Sequence, residues 1–458
     1  MSQVLILGGG VSGLSTGYFL SKRGIESTIV EAGPQLGGLI RTDVVNGCQL
    51  EAGPDSYIAA KPQVTELAGE IPELRSEIIG TNDRDRRIFL VKDGALAAMP
   101  RGMVMMVPGD MREALGSPLF PDATKRRFLQ ERSQKPRERQ NDVSIADLVR
   151  DHFDDVVLEY ITEPLLTGVY GGDAGQLSAA SVLPRFLDYE RRYGSLVRGV
   201  RQERKKQHHS GSLFLSFQSG MQALTDGLAR AAGPAMKVVR GEATQVKRRN
   251  GRWSVRVGGD WQHAAYLVVA LPAHRAAGIF EMEMSPLAEE LAQIPYSSAI
   301  TVVLGFERKS IAHPLDGFGF LVPRPERHQV AACTWISTKF PTRTPERYAA
   351  LRAFIVDMDA TSLMAEADSA ILTIVRRELR RLMGIEVEPA FRTLHRWPSS
   401  MPQYVVGHGE RLRRIRGLTE APANLFLVGN AYEGVGIPDC VRLARQAADK
   451  IVASTPIN

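Results

Sequence analysis

The first thirty residues switch between two periods. Residues 4–7, Val-Leu-Ile-Leu, form a continuous apolar run, the pattern of a strand buried on both faces. Residues 14–23 then place Leu14, Tyr18, Phe19 and Leu20 on one side of a helix that Gly24 stops. Residues 27–30, Ser-Thr-Ile-Val, are β-prone again and end in Glu31. Together they predict a strand–helix–strand unit. Further on, residues 235–239, 243–247, 253–257 and 266–270 read as strands separated by turns such as Asn250-Gly251. Residues 424–428 read as a strand and 441–452 as a closing helix. From about residue 103 to 207 the pattern is helical, over 145–160, 180–193 and much of 121–140.

The turn between the first strand and helix carries a G-x-G-x-x-G at Gly8, Gly10 and Gly13, within the run Gly8-Gly9-Gly10-Val11-Ser12-Gly13. Gly8 permits the tight turn, Gly10 lets backbone approach a pyrophosphate, and Gly13 lets helix and strand pack closely. The helix N-terminus offers unpaired N–H groups and a positive dipole to the phosphates. Glu31, followed by Ala32, lies where a carboxylate accepts both ribose hydroxyls, and an acid there disfavours a 2′-phosphate. Paired glycines follow at Gly37-Gly38, then Leu39 and Arg41, an arginine that would either pair with a phosphate or stay in solvent. At the far end, Gly429, Val435, Gly436 and Ile437 form a second strand–glycine turn–helix. The stretch Gly37-Gly38-Leu39-Ile40-Arg41-Thr42 resembles the G-G-x-x-R-T segment of the flavin-dependent amine oxidase superfamily. That resemblance implies that the cofactor is FAD and that this second helix N-terminus faces its flavin ring and ribityl chain.

The fold class expected is α/β (α+β overall): a Rossmann-type FAD-binding domain, a mixed-sheet substrate domain and a helical insert. The FAD domain would be discontinuous, over 1–80, 212–275 and 392–458. Residues 81–105 and 276–391 would form the substrate domain and 106–211 the helical one.

Composition narrows the partners. The chain has 458 residues and a formal net charge of +6, mild for this size. No zinc finger or aromatic–basic interleaving points to nucleic acid. Three scattered cysteines, Cys48, Cys333 and Cys440, form no metal pair and favour a reducing compartment. No secretory signal or membrane span is visible, so the expectation is a cytoplasmic protein, a monomer or homodimer without a metal. Basic residues gather in 125–139 and 185–206, as a solvated face or as a surface for anionic lipid or substrate.

A closer resemblance than that of residues 37–42, over essentially the whole chain, is to the oxygen-dependent protoporphyrinogen oxidase family and its coproporphyrinogen-oxidising branch. It is carried by Glu51-Ala52-Gly53-Pro54-Asp55-Ser56-Tyr57, by residues 163–173 with Leu177-Ser178, by Met401-Pro402-Gln403-Tyr404-Val405-Val406-Gly407-His408, and by residues 434–440. The resemblance implies a porphyrinogen substrate, six-electron oxidation by three hydride transfers, and O2 as acceptor giving hydrogen peroxide. It implies that Gly53, Pro54, Asp55 and Ser56 lie beside the flavin, Thr244 near the adenine and Trp397 near the ring. It implies that Gly168 leaves room for substrate and that Arg87 binds a propionate, although Arg87 also reads as part of a solvated basic loop. In some members the helical region makes a peripheral contact with the inner face of the membrane. Gly171-Gly172 replaces the family's more usual alanine-glycine and is expected to enlarge the pocket locally. Apolar candidates for the substrate slot, which read equally as sheet core, are residues 300–304, 318–322 and Trp335. His408 reads as structural. Rival readings are an amine oxidase or carotenoid desaturase, and a flavin-binding scaffold without oxidase activity.

Overall fold

In the computed structural model, which describes residues 3–206 and 211–455, the apolar run Val4–Leu7 is the centre of a five-stranded parallel sheet. Its order is Met236–Arg240, Ser27–Glu31, Val4–Leu7, Tyr266–Val269, Leu425–Leu427. Three distant parts of the chain therefore build one sheet. Val4, Leu5, Ile6 and Leu7 are fully covered, which explains why the run lacks polar alternation. The helix Val11–Ser21 starts three residues earlier than its apolar pattern suggests, because the last glycine turn is already helical. Residues 12–20 of that helix are all buried between the sheet and the helices Gln222–Ala232 and Ile437–Ser454.

Of the four strands expected in the middle segment, two join this sheet. The other two, Ala243–Arg249 and Arg252–Val257, form a separate antiparallel sheet with Asp260–Ala264. Trp253 and Phe280 meet edge to face beneath it, 6.4 Å apart.

A seven-stranded mixed sheet forms the second core, in the order Phe391–Pro402, Tyr296–Glu307, Tyr348–Val356, Ala332–Trp335, Gly319–Leu321, Ile88–Lys92, Ala95–Ala98. Only the Gly319–Leu321 and Ile88–Lys92 pair is parallel. Period-two alternation sorts its residues. Ile300, Val302 and Leu304 pack on one face with Ile371, Val375 and Leu379 of the helix Asp368–Met383. Val303 faces the other way, with Cys48 and Leu50. The apolar slot candidates Ile300, Leu304, Phe320, Val322 and Trp335 thus belong to sheet core.

The helical region has its own hydrophobic centre, including Phe128, Leu148, Phe153, Ile161 and Phe186. The long helices expected there are broken. Ile145–His152 ends at Phe153, and Asp154 caps a new start by accepting from Val157 N at 3.1 Å. The 180–193 pattern splits at Leu183, the residue before Pro184. Of 121–140 only Asp122–Glu131 is helical. The last helix of this region, Leu196–Lys206, runs through the end of the basic stretch 185–206, and residues 207–210 lie outside the described residues. Among the described residues no helix is long and apolar enough to cross a membrane.

Candidate functional site

The glycine turn is built by close approach. Gly8 has φ +101°, and a Cβ there would sit 2.7 Å from Ala270 O. A Cβ on Gly13 would lie 2.0 Å from Gly8 O, so only glycine lets this helix sit on its strand. Gly9 O accepts from Gly37 N at 2.8 Å, and Gly38 lies against Gly10. The Gly37-Gly38 loop therefore lies directly on the turn. Gly10 is the N-cap of Val11–Ser21, with no side-chain cap and no acid in the first turn. Ser12, in that first turn, hydrogen-bonds Cys440 in the opening turn of Ile437–Ser454.

Glu31 closes the cradle at the end of its strand. Its carboxylate accepts from Gly9 N at 2.7 Å and Gly33 N at 2.6 Å. Its carbonyl accepts from Gly241 N at 3.0 Å, and Arg240 donates to Gly33 O at 2.8 Å. Ala32 is exposed beside them. Thr244 follows on the same wall, exposed, at a register irregularity between Ala243 and Gln245. Leu39 is exposed on the loop, and Arg41 is turned to Asp43 at 3.2 Å. The second glycine-lined end carries Gly429 after the strand Leu425–Leu427, then Val435, half-buried, and Gly436 as the uncapped N-cap of Ile437–Ser454. Tyr404 clasps this end, donating to Asn430 O at 2.7 Å and accepting from Gly434 N at 3.0 Å. His408 stacks on Tyr404 at 4.0 Å and is buried; burial holds its ring below the usual histidine pKa, which fits a structural role.

Residues 51–56 lie between these ends and the seven-stranded sheet. A Cβ on Gly53 would be 1.9 Å from Leu39 O, so this segment presses on the loop above the cradle. Ala52 O accepts from Thr301 Oγ1 at 2.7 Å and Trp397 Nε1 at 2.9 Å. Pro54 is half-buried beside them. The Asp55 carboxylate is fully engaged, with Ser56 Oγ at 2.6 Å, Lys339 Nζ at 2.8 Å and Arg352 Nη2 at 2.9 Å. Burial opposes its ionisation, but Lys339 and then Arg352 outweigh that and hold it well below the usual carboxylate range. Any cofactor contact from Asp55 is therefore left to its backbone.

Gly168 sits exposed on the helix Glu163–Tyr170, with open space where a Cβ would be. The local enlargement expected at Gly171-Gly172 does not occur. Gln403 takes the room instead: a Cβ on Gly172 would be 1.8 Å from its Oε1. Gln403 Nε2 donates to Ser297 Oγ at 2.9 Å and to Met401 O at 3.0 Å. Arg87 lies beside the strand Ile88–Lys92 and pairs with Asp316 at 2.6 Å; both are partly exposed. Among the described residues no His, Cys, Asp and Glu group could hold a metal ion.

The residues that sequence reasoning missed are the cations beneath residues 51–56. Arg352 is a lone charge in the otherwise apolar strand Tyr348–Val356, a pattern that signals a buried cation needing partners. An uncapped helix end over a side-chain-free turn, with a carboxylate at the next strand's end, fits a dinucleotide: pyrophosphate on the turn and ribose at Glu31.

Comparison with known proteins bears on this geometry. The family described as flavin containing amine oxidoreductase matches residues 11–452. The coproporphyrinogen III oxidase of Bacillus subtilis (strain 168) is 30% identical over 463 residues, covering 97% of each chain. The protoporphyrinogen oxidase of Homo sapiens is 27% identical over 482 residues, covering 99% of each. A crystal structure from Exiguobacterium sp. 255-15 superposes with a TM-score of 0.89 at 28% identity, covering 99% of each chain.

Proposed function

This chain belongs to the flavin-containing amine oxidoreductases and is an FAD-dependent oxidoreductase, and from that premise we propose that it oxidises a porphyrinogen to the porphyrin, coproporphyrinogen III before protoporphyrinogen IX. The observation that carries this reading is similarity along the full chain to relatives that bear those names. When bound, FAD supplies a hydride acceptor that O2 re-oxidises, so that six electrons and six hydrogens leave the ring system as three H2O2.

The chain's own residues position the reactants. Gly8 and Gly9, whose N–H groups go to Val30 O and to Glu31, shape the turn. Gly10, Val11, Ser12 and Gly13 present backbone N–H groups of the helix start to the pyrophosphate, and Glu31 takes the ribose hydroxyls. Ala32, Gly38, Leu39 and Thr244 border the adenosine half, and Gly429, Val435, Gly436 and Ile437 the ring half. Trp397 and residues 53–56 form the floor. Gly168 leaves the substrate side open, and Arg87 meets a propionate. No side chain is needed as nucleophile, because the acceptor of hydride is the cofactor.

The test is porphyrin fluorescence and oxygen uptake with purified, FAD-loaded protein and each porphyrinogen in turn. Porphyrin formation above autoxidation with matching oxygen loss is expected, faster with coproporphyrinogen III. FAD-replete protein that forms no porphyrin overturns the substrate and leaves the cofactor standing.

A further inference from the structure

Residues 51–61 run as a strap between the two glycine-lined ends. At one end Gly53 presses on Leu39, in the loop that rests on Gly10. At the other, Lys61 Nζ reaches the Asp439 carboxylate at 2.6 and 2.8 Å, in the first turn of Ile437–Ser454. Between them the strand Phe214–Phe217 pairs with Tyr57-Ile58 and Ser216 Oγ donates to Asp55 O at 2.6 Å, while residues of the seven-stranded sheet and of the turn Ile336–Lys339 that follows it pin the strap from below. Thr301 and Trp397 hold Ala52 O. Arg352 Nη1 donates to Glu51 O at 3.0 Å and Gly53 O at 2.9 Å, and its Nη2 reaches Asp55. Lys339 meets both oxygens of Asp55.

The charges in this layer do not cancel. Lys339, Arg352 and Arg343 face two carboxylates, Asp55 and Glu51, with Arg343 Nη1 at 3.0 Å from Glu51. Side-chain exposure is 13%, 4% and 1% for the cations and 14% and 3% for the acids, so water screens little of the excess. Buried charge acts over longer distances than charge in solvent. Reduction of a flavin adds negative charge to the ring, and a positive layer under its floor favours that state.

We propose that Lys339, Arg352 and Asp55 are positioning residues that fix the strap under the FAD and, through their net positive charge, set the reduction potential of the bound cofactor. This rests on the glycine cradle being the FAD seat, and the FAD content of the wild-type protein tests that premise separately. The experiment is an anaerobic dye-linked titration of the holoenzyme, with FAD content and melting temperature measured beside it. Asp55→Asn removes a negative charge and shifts the midpoint potential upward. Lys339→Met removes a positive charge and shifts it downward, and Lys339→Arg keeps the wild-type value. Opposite shifts from two substitutions at one contact are the signature, because a merely structural role loosens the strap the same way in both. Shifts of the same sign, or none in either variant that binds FAD, overturn the proposal. If Lys339→Met does not fold, Lys339→Gln takes its place under the same two criteria.

Discussion

In the helical region Glu131, His152, Glu190 and Arg139 meet over sequence separations of 21, 38 and 51, whereas beneath the strap Asp55 meets Lys339 and Arg352 over separations of 284 and 297. The first network is closed. His152, fully buried, puts Nδ1 at 2.9 Å from Glu131 and Nε2 at 3.2 Å from Glu190, while Arg139 grips Glu190 through two nitrogens. Glu131 also accepts from Ser195 Oγ and Leu196 N, so it ends one helix and starts another. Two cations meet two acids, and Asp151 takes the outer side of Arg139. The second network leaves a cation in excess and joins two separate cores. A local, balanced network organises a sub-fold; a remote, unbalanced one couples the strap to the seven-stranded sheet.

Breaking the closed network should cost most. Glu131→Ala strands a buried histidine and uncaps Leu196–Lys206, a loss of about 3–5 kcal/mol. Urea unfolding measures it, and FAD content in the surviving folded protein should stay at the wild-type level. Arg343→Met should cost less, about 1–3 kcal/mol by the same measurement. Its partner Glu51 has a carboxyl pushed up by burial, against the opposing pull of Arg343, and so takes a proton readily once that arginine is gone. A larger loss for Arg343→Met than for Glu131→Ala would invert the comparison.

Acidity sharpens it further. Burial works against a charged His152, yet Glu131 and then Glu190 outweigh it and raise its pKa above the ordinary 6.5. Its contribution is complete below 6.5 and fades as pH rises through the raised value. Glu190 behaves in the opposite sense. Burial opposes its charge, but His152 and Arg139 bring it down to about 2, so its contribution is complete above 4.5 and fades as pH falls toward 2. Wild-type stability should therefore be highest between about pH 4.5 and 6.5 in this part of its profile, and His152→Gln should flatten the alkaline side. An unchanged alkaline slope in that variant would remove His152 as its source.

The exposed pair Arg87–Asp316 sets the low end of the scale. Such pairs are worth about 0–1 kcal/mol, so Asp316→Asn should leave melting unchanged. By releasing Arg87 it should lower KM for a carboxylate-bearing porphyrinogen up to about fivefold, whereas Arg87→Ala should raise KM with FAD content intact. Steady-state kinetics at two salt concentrations distinguish the two.

The cradle was legible in sequence because its chemistry is local: Gly8, Gly13 and Glu31 act within one strand–helix–strand unit. So were the closing helix and the core strand 4–7. The breaks in the helical region were less legible, since the cap at Asp154 and the split before Pro184 compete with an apolar period that runs straight through them. Gln403 filling the space at Gly172 was hidden, because it needs two segments more than 200 positions apart. The strap's cations were half visible. Arg352 announced itself within an apolar strand, but nothing near it in sequence named Asp55.

Both helices proposed to face the dinucleotide begin at a glycine, Gly10 and Gly436, that has no side chain to satisfy their first N–H groups. In the proposed FAD seat the acceptors are the ligand's own, so loading and folding would be linked. At a hundred times its dissociation constant such a ligand adds about 2.7 kcal/mol to the native state. In a cell short of riboflavin-derived coenzyme, the polypeptide's lifetime against proteases would shorten before its catalytic rate per molecule changed, and abundance would become the readout of vitamin supply.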